Sequence, residues 1–531
     1  MTDTKNNSTR NAGVLESIRH SAAIIIALTL ADKILALAKE MFFAYRFGVN
    51  TELDIFNIAY AFPGIVVMLL GQAVISTLVP LYITWSSTGS AKLQRALPTL
   101  GWTCLFFFLF ITLVCYWLAP VIFSWMGFGF SDASHPLGSD IERMLVWLIL
   151  LDGAGAVFSG VLNARKSFGI IYTAQLAINT SIIIFLWLWR GLGVEGLAIG
   201  FLVGSAIKLL MLILATGRKH SPLSLPSTWD GPALREFASL TWPLIAGGLV
   251  VNANILVDQI MGTQLPEGSV STLRYAYRIN DLPVQLLVIA ASRALFPYVS
   301  EQVVANDNHG MRDVFWNSIL FVVAVSLPVT AFVTLFSKDI ITILLLRGAF
   351  GLDAVESTAL TLQYYSFGMI FYAYLFLNGT FFTAMRHTKI LMVMGVVTMI
   401  MNIGFNWLFI QLINGPEGIA LSTTVTTGLT SLAFAFIIQR VLNVASALPK
   451  FRPFATVLGL CILAAGLAWI SRIGLRAMGL DPVWAFPPCA ALFGAVYLGG
   501  LMRCRDEGLR WCVGMLIPHR FLPTFLPQAS R

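Results

Sequence analysis

Charge is scarce in this sequence. Of 531 residues, 11% are Asp, Glu, Lys or Arg, against 57% hydrophobic, a balance foreign to soluble globular domains. Chemistry-bearing motifs are missing too. No G-x-x-x-x-G-K-[ST] loop is present to cradle a nucleotide, no G-x-S-x-G elbow to raise a nucleophile, and no His pair at metal-ligand spacing. The six histidines are scattered near loops or in tails. These absences argue against an ATP-driven pump, a membrane hydrolase and any resident cofactor. Cys104, Cys115, Cys461, Cys489, Cys504 and Cys512 contain no C-x-x-C spacing, so they read as small buried residues rather than as a disulfide or zinc framework.

What fills the chain is apolar sequence. Runs of roughly 20 residues, the length that crosses a hydrocarbon core of about 30 Å, recur from residue 22 to residue 502. About fourteen spans are expected. The polar start, MTDTKNNSTRNAGVLESIRH, shows no signal-peptide cleavage pattern, so the first span is expected to be retained. With the N-terminus in the cytoplasm, the tails and even-numbered loops hold about 21 of the 34 Lys and Arg residues, the opposite loops about 6 and the spans about 7. This asymmetry predicts cytoplasmic termini and explains the formal charge of +8 by topology. Dispersed basic loops form no nucleic-acid face.

"GVEGLAIGFLVGSAIKLLMLI" (193–213) resembles "GPEGIALSTTVTTGLTSLAFAF" (415–436), an offset of about 220 residues that covers an even number of spans and so implies a parallel repeat. The predicted fold is an all-α integral membrane protein of about 14 transmembrane helices: two six-helix lobes related by that pseudo-repeat, a cleft between them, and two further C-terminal helices. The expected divisions are a tail (1–21), an N-lobe (22–216), a linker (217–236), a C-lobe (237–440), spans 13 and 14 (453–503) and a second cytoplasmic tail (504–531). Gly196, Gly200 and Gly204 form a small-xxx-small ladder suited to close helix packing within a lobe. Pro63, Pro243 and Pro283, with Gly247 and Gly248, permit kinks.

A charge at the bilayer centre costs about 2.5–3.5 kcal/mol on the insertion scale, so charged side chains within spans should face protein or water. Span 1 carries Asp32, Lys33, Lys39 and Glu40, with Asp32 and Lys39 on one stripe and Lys33 and Glu40 on another. In span 8, Arg274, Arg278 and Asp281 follow i, i+4, i+7 and share one face, flanked by Tyr275 and Tyr277. Asp54 stands at the mouth of span 2, Asp258 in span 7, and Asp152 and Lys208 look solitary in spans 4 and 6. Two readings stay open. Ion pairs could pin helices together, an arginine of span 8 with Asp32 or Asp54 for instance; or a water-filled cavity could focus cations on an anionic ligand such as a phosphate.

Four stretches narrow this: "ADKILALAKEMFFAYRFGVNTELDIFNIAYAFP" (31–63), "LPEGSVSTLRYAYRINDLPVQLLVIAASRALFPYVSE" (265–301), "LLLRGAFGLDAVESTALTLQYYSFGM" (344–369) and the run from "FFTAMRHTKI" to "NIGFNWLFIQ" (381–411). In them the chain resembles the MurJ (MviN) lipid II flippases of the multidrug/oligosaccharidyl-lipid/polysaccharide exporter superfamily. The resemblance implies a multi-pass protein of the bacterial inner membrane that carries an undecaprenyl-diphosphate-linked saccharide from the inner to the outer leaflet by alternating access. It places the family's first-helix arginines at Lys33 and Lys39, its following acid at Asp54, and its span-8 basic and acidic residues at Arg278 and Asp281; Arg274 adds a cation. The chain departs from the family at Tyr277, where an Asp is usual, and at Val66, Val67 and Met68, where a basic pair usually follows the span-2 proline. Replacing Arg by Lys loses the bidentate fork.

The resemblance also places Asp258, Asn402, Asn406 and Thr423 near a sodium site found in some members. The coupling expected is therefore an ion, sodium or proton, or the membrane potential. Expected partners are the lipid-linked saccharide, membrane lipids and cell-wall or exopolysaccharide assembly enzymes, with no nucleic acid. The rival readings are an exporter of another lipid-linked repeat unit for exopolysaccharide, a drug or cation antiporter, a non-transporting scaffold, and a glycosyltransferase or polymerase.

Overall fold

The structure is a computed structural model and describes residues 2–189, 191–225, 228–305, 308–385, 387–441 and 451–516. It is all-helical, with no strand among the described residues. Eleven helices are long and apolar enough to cross a membrane, or 12 when the two halves of a bent helix count as one span. Two more long helices, which carry the charges singled out above, stand outside that count. The set is compatible with the expected fourteen.

Two compact units divide the chain, Met1–Ser271 and Thr272–Arg531. The first holds α1 (Thr2–Phe47), α2 (Thr51–Thr88), α3 (Ser90–Met126), α4 (His135–Leu145), α5 (Trp147–Ala164), α6 (Phe168–Leu188), α7 (Val194–Thr216) and α8 (Gly231–Gly262). Helix α4 runs almost directly into α5, and together they make one span, Asp132–Ala164. Helix α8 bends by 41° between Leu249 and Asn252, just beyond Gly247 and Gly248, where the sequence permits a kink. Helix α8 buries Ala233 and Phe237 in a core with α2, α3 and α5, and the first unit runs to Ser271.

That core follows helical periodicity. Leu70, Val74, Leu78, Leu81 and Trp85 make one stripe of α2, which meets Leu97, Leu100, Cys104 and Phe108 of α3 and Val157 and Val161 of α5. Glycines allow the approach: a Cβ on Gly153 would lie 2.6 Å from Phe108, and one on Gly160 2.8 Å from Leu78. The glycine ladder of α7 packs within the unit as its spacing suggests. A Cβ on Gly204 would lie 2.7 Å from the Ile178 Cα and one on Gly200 3.2 Å from the Ile182 Cα, both on α6.

The second unit holds α9 (Ser269–Ala305, from Thr272 onward), α10 (Asn308–Leu345), α11 (Leu352–Ala384), α12 (Thr388–Ile413), α13 (Pro416–Val441), α14 (Phe451–Ala477), α15 (Pro482–Arg503) and α16 (Glu507–Leu516). Its core gathers Phe315, Phe321 and Phe336 of α10, Phe381 and Phe382 of α11, and the α14 stripe Val457, Cys461, Ala464 and Ala468. Tyr497 of α15 donates to the Ala324 carbonyl at 2.5 Å, and α14 and α15 share the core of α10. The expected tail after residue 504 contains α16, an amphipathic helix that buries Leu509, Cys512 and Val513; burial there pushes the Cys512 thiol up to about 12. Elsewhere the surface of both units is strongly apolar, with Trp117, Trp242 and Trp484 more than two-thirds exposed, as a lipid-facing surface requires.

Candidate functional site

In the first unit, α1 turns its Asp32/Lys39 stripe toward α6 and α7. Asp32 accepts a hydrogen bond from Asn179 Nδ2 at 3.0 Å, and the Lys39 ammonium lies 5.5 Å from the Phe201 ring centroid and 3.6 Å from Glu40. Lys39 and Glu40 are buried. Lys33, about 100° around the helix, is half-buried. The two residues that look solitary in the sequence hold each other: Lys208 Nζ of α7 donates to Asp152 Oδ1 of α5 at 3.0 Å, and Ser205 donates to Oδ2 at 2.9 Å.

Asp54 is buried one turn into α2, beside the start of α9. It accepts hydrogen bonds from the Gly268 N–H at 2.9 Å, the Ser271 N–H at 2.6 Å and the Ser271 hydroxyl at 2.5 Å. A carboxylate on the open N–H groups at the start of a helix is a strong cap. The local sequence explains the geometry. Asn50 caps α2 by accepting from the Leu53 N–H, which sets Asp54 at the helix mouth. Gly268 has φ +82°, and a Cβ there would lie 3.1 Å from Val49, so "PEGSVS" turns tightly enough to bring its amides onto Asp54. Thr51 N–H donates to Glu267 at 3.2 Å, which holds that exposed carboxyl below its ordinary range.

In the second unit, α9 is one continuous helix, so Arg274, Arg278 and Asp281 share a face as their spacing predicts. Arg278 is exposed, Arg274 and Asp281 are half-buried, and Asp281 accepts from Gln285 at 2.6 Å. The flanking tyrosines anchor the helix: Tyr275 meets Phe350 edge-on at 5.6 Å and Tyr277 meets Tyr365 at 6.0 Å between ring centroids.

The residues compared with a sodium site divide between the units, with Asp258 on α8 and Asn402, Asn406 and Thr423 in the second. Asn402 and Asn406 are buried, Asn406 donating to Asn402 at 3.3 Å. The Ser422 hydroxyl donates to the Asn402 carbonyl at 3.4 Å and that of Thr423 to Ile419 at 3.0 Å. Among the described residues no group of three or more His, Cys, Asp or Glu could hold a metal ion.

Two features are not evident from the spacing of residues. Asp339 of α10 is clamped by Arg472 at 2.7 Å and by Arg476 of α14. Glu142 of α4 is fully buried. Both escape a span-by-span reading because they fall at or beyond the expected edges of apolar windows. Packing against neighbouring helices buries them.

Comparison with known proteins gives the geometry its context. The sequence model of the family described as Lipid II flippase MurJ matches residues 43–478. The chain is 24% identical over 497 residues to a lipid II flippase MurJ of Burkholderia cenocepacia, covering 90% of this chain and 95% of that one. Its fold matches a solved structure described as lipid II flippase MurJ in an inward closed conformation, with a TM-score of 0.76 and 22% identity over 90% of this chain and 98% of that one. A multidrug resistance MATE family transporter of the MOP superfamily, inward-facing, matches with a TM-score of 0.68 and 14% identity over 80% and 100% of the two chains. The neighbours are transporters, and the profile match covers most of this sequence: the chain belongs to the MurJ family of lipid II flippases, multi-pass proteins of the bacterial inner membrane.

Proposed function

We propose that this protein carries an undecaprenyl-diphosphate-linked saccharide from the inner to the outer leaflet by alternating access, with lipid II as its first cargo. The observation that carries this reading is the Arg274/Arg278/Asp281 face of α9, which leaves Arg278 exposed on a helix of a membrane protein. An arginine held there is matched to a diphosphate by its planar fork. Lys33 and Lys39 of α1 supply point charges, and Asp281 positions the α9 cations. Asp54 acts at one remove, fixing the start of α9.

The topology that goes with this has both termini in the cytoplasm and two six-helix lobes that rock. An inside-negative potential favours outward movement of a negative head group by about 2.3 kcal/mol per charge per 100 mV. Sodium at Asp258, Asn402, Asn406 and Thr423 is an alternative source of coupling, and enzymes of cell-wall assembly are the expected partners.

A second cargo, a lipid-linked repeat unit for exopolysaccharide, is favoured by one observation. Val66 and Val67 are packed against the α2–α3 core and Met68 is exposed, so this turn of α2 offers the diphosphate no cation. The deciding experiment measures lipid II at the outer leaflet of spheroplasts depleted of their own flippase. Exposure restored by this protein and lost in Arg278→Ala supports lipid II. No restoration from a folded, inserted protein assigns it another lipid-linked glycan, and wild-type exposure from Arg278→Ala removes the role given to α9.

A further inference from the structure

Glu142 sits two turns into α4, within the span Asp132–Ala164. It is fully buried, and neither carboxyl oxygen has a hydrogen-bond partner. It makes no ion pair among the described residues. A carboxylate in such a place is strongly disfavoured, because nothing replaces the water it has lost, whereas a neutral carboxylic acid is tolerated.

Its surroundings make the isolation specific. Helices α3 and α4 form an antiparallel hairpin packed so closely that a Cβ on Gly138 would lie 2.0 Å from the Phe123 ring. One turn further along α4, Glu142 lies close enough to α3 for its charge to act on the Cys115 thiol. Several charged groups on the packed elements are engaged elsewhere. Arg143 reaches Asp140 at 3.2 Å and lies over Tyr116 of α3. Asp54 of α2 is bonded to Gly268 and Ser271, and Asp152 of α5 to Lys208 and Ser205 of α7. Tyr82 of α2 is influenced by Arg165.

We propose that Glu142 is a proton-binding site: a carboxylic acid in this packing, which ionises when α4 parts from α3 and water enters. In that step the O–H bond breaks, the electron pair stays on the carboxylate and the proton leaves on water. Opening of the α3–α4 hairpin thus releases a proton, and closing takes one up. The inference rests on the transporter reading only in requiring that these helices move.

The test uses the full chain in lipid nanodiscs without substrate. Infrared spectra of wild type minus E142Q at neutral pH should contain one protonated-carboxyl C=O band. Absence of that band means that Glu142 is ionised and overturns the proposal. Hydrogen exchange of α4 amides, compared with E142Q at the same pH, should then be faster in the wild type by about tenfold per pH unit above the ordinary carboxyl pKa that the opened, hydrated group takes, levelling off where the closed form also ionises. E142D should keep that excess and E142L should lack it; the leucine variant serves as the reference if E142Q does not fold. Equal exchange in wild type and the neutral variants overturns the link between proton and opening. Neither readout involves a lipid-linked saccharide, so failure of the cargo assay and failure of the proton site are separate results.

Discussion

Helices α5 and α7 of the first unit and α9 of the second both carry charge into a membrane protein, but they use it differently. Asp152 and Lys208 meet at 3.0 Å, with Ser205 on the second carboxylate oxygen, and so pin two helices of one unit together. On α9 the acid bonds to Gln285 of its own helix, and Arg278 is exposed. An ion pair closed between two helices of one unit reads as structure. Charge kept exposed on one helical face, in a chain this poor in charge, reads as a binding surface.

The comparison breaks most sharply at the pair. Lys208→Met alone would leave a buried carboxylate, and unfolding in detergent should show a loss of about 3–5 kcal/mol, most of it recovered in the double variant with Asp152→Leu. Equal losses in single and double variants would mean that the pair is not a unit. On α9 the effect should be on transport and not on stability. Arg278→Ala should lower outer-leaflet exposure of cargo by roughly 100-fold, with Lys keeping about a tenth of wild-type activity, at unchanged melting temperature. A variant that melts early would move Arg278 into the structural class.

Asp54 tests the boundary between the classes, because it is a site residue by resemblance and a cap by geometry. Asp54→Ala strands the donors of Gly268 and Ser271, and should destabilise the first unit by about 1–3 kcal/mol. Asp54→Ser, which can still accept, should recover part of that. The smallest effect is expected at Glu267. Its pKa is lowered by the Thr51 hydroxyl and then by the Thr51 N–H, so it contributes stability above the ordinary carboxyl value of 4.5 and loses it as pH falls through the depressed value. Glu267→Gln should flatten that acid limb and change little at neutral pH.

Much of this was legible in the sequence because the bilayer imposes coarse rules. The apolar runs form long helices, and the α9 face follows from spacing alone, since a continuous helix fixes which side chains are neighbours. Boundaries were less legible. The apolar run beyond Arg143 puts Glu142 at the edge of its span, whereas α4 begins at His135 and its packing buries the residue within the unit. Likewise Asp339 and Arg476 fall just outside the apolar runs of their spans, and α10 and α14 run past both.

By itself, then, the sequence determined that the chain crosses the membrane many times, that its helices bury stripes set by the 3.6-residue period, and that α9 carries two arginines and an acid on one side. These are properties of single helices, fixed by local geometry and by the cost of exposing backbone and charge to lipid. Only the tertiary structure decided which charges are satisfied. It gave Asp152 to Lys208, Asp32 to Asn179 and Asp54 to the amides before α9, and left Glu142 without a partner. Partnership depends on which helices pack side by side and at what register, and no spacing along one chain encodes that.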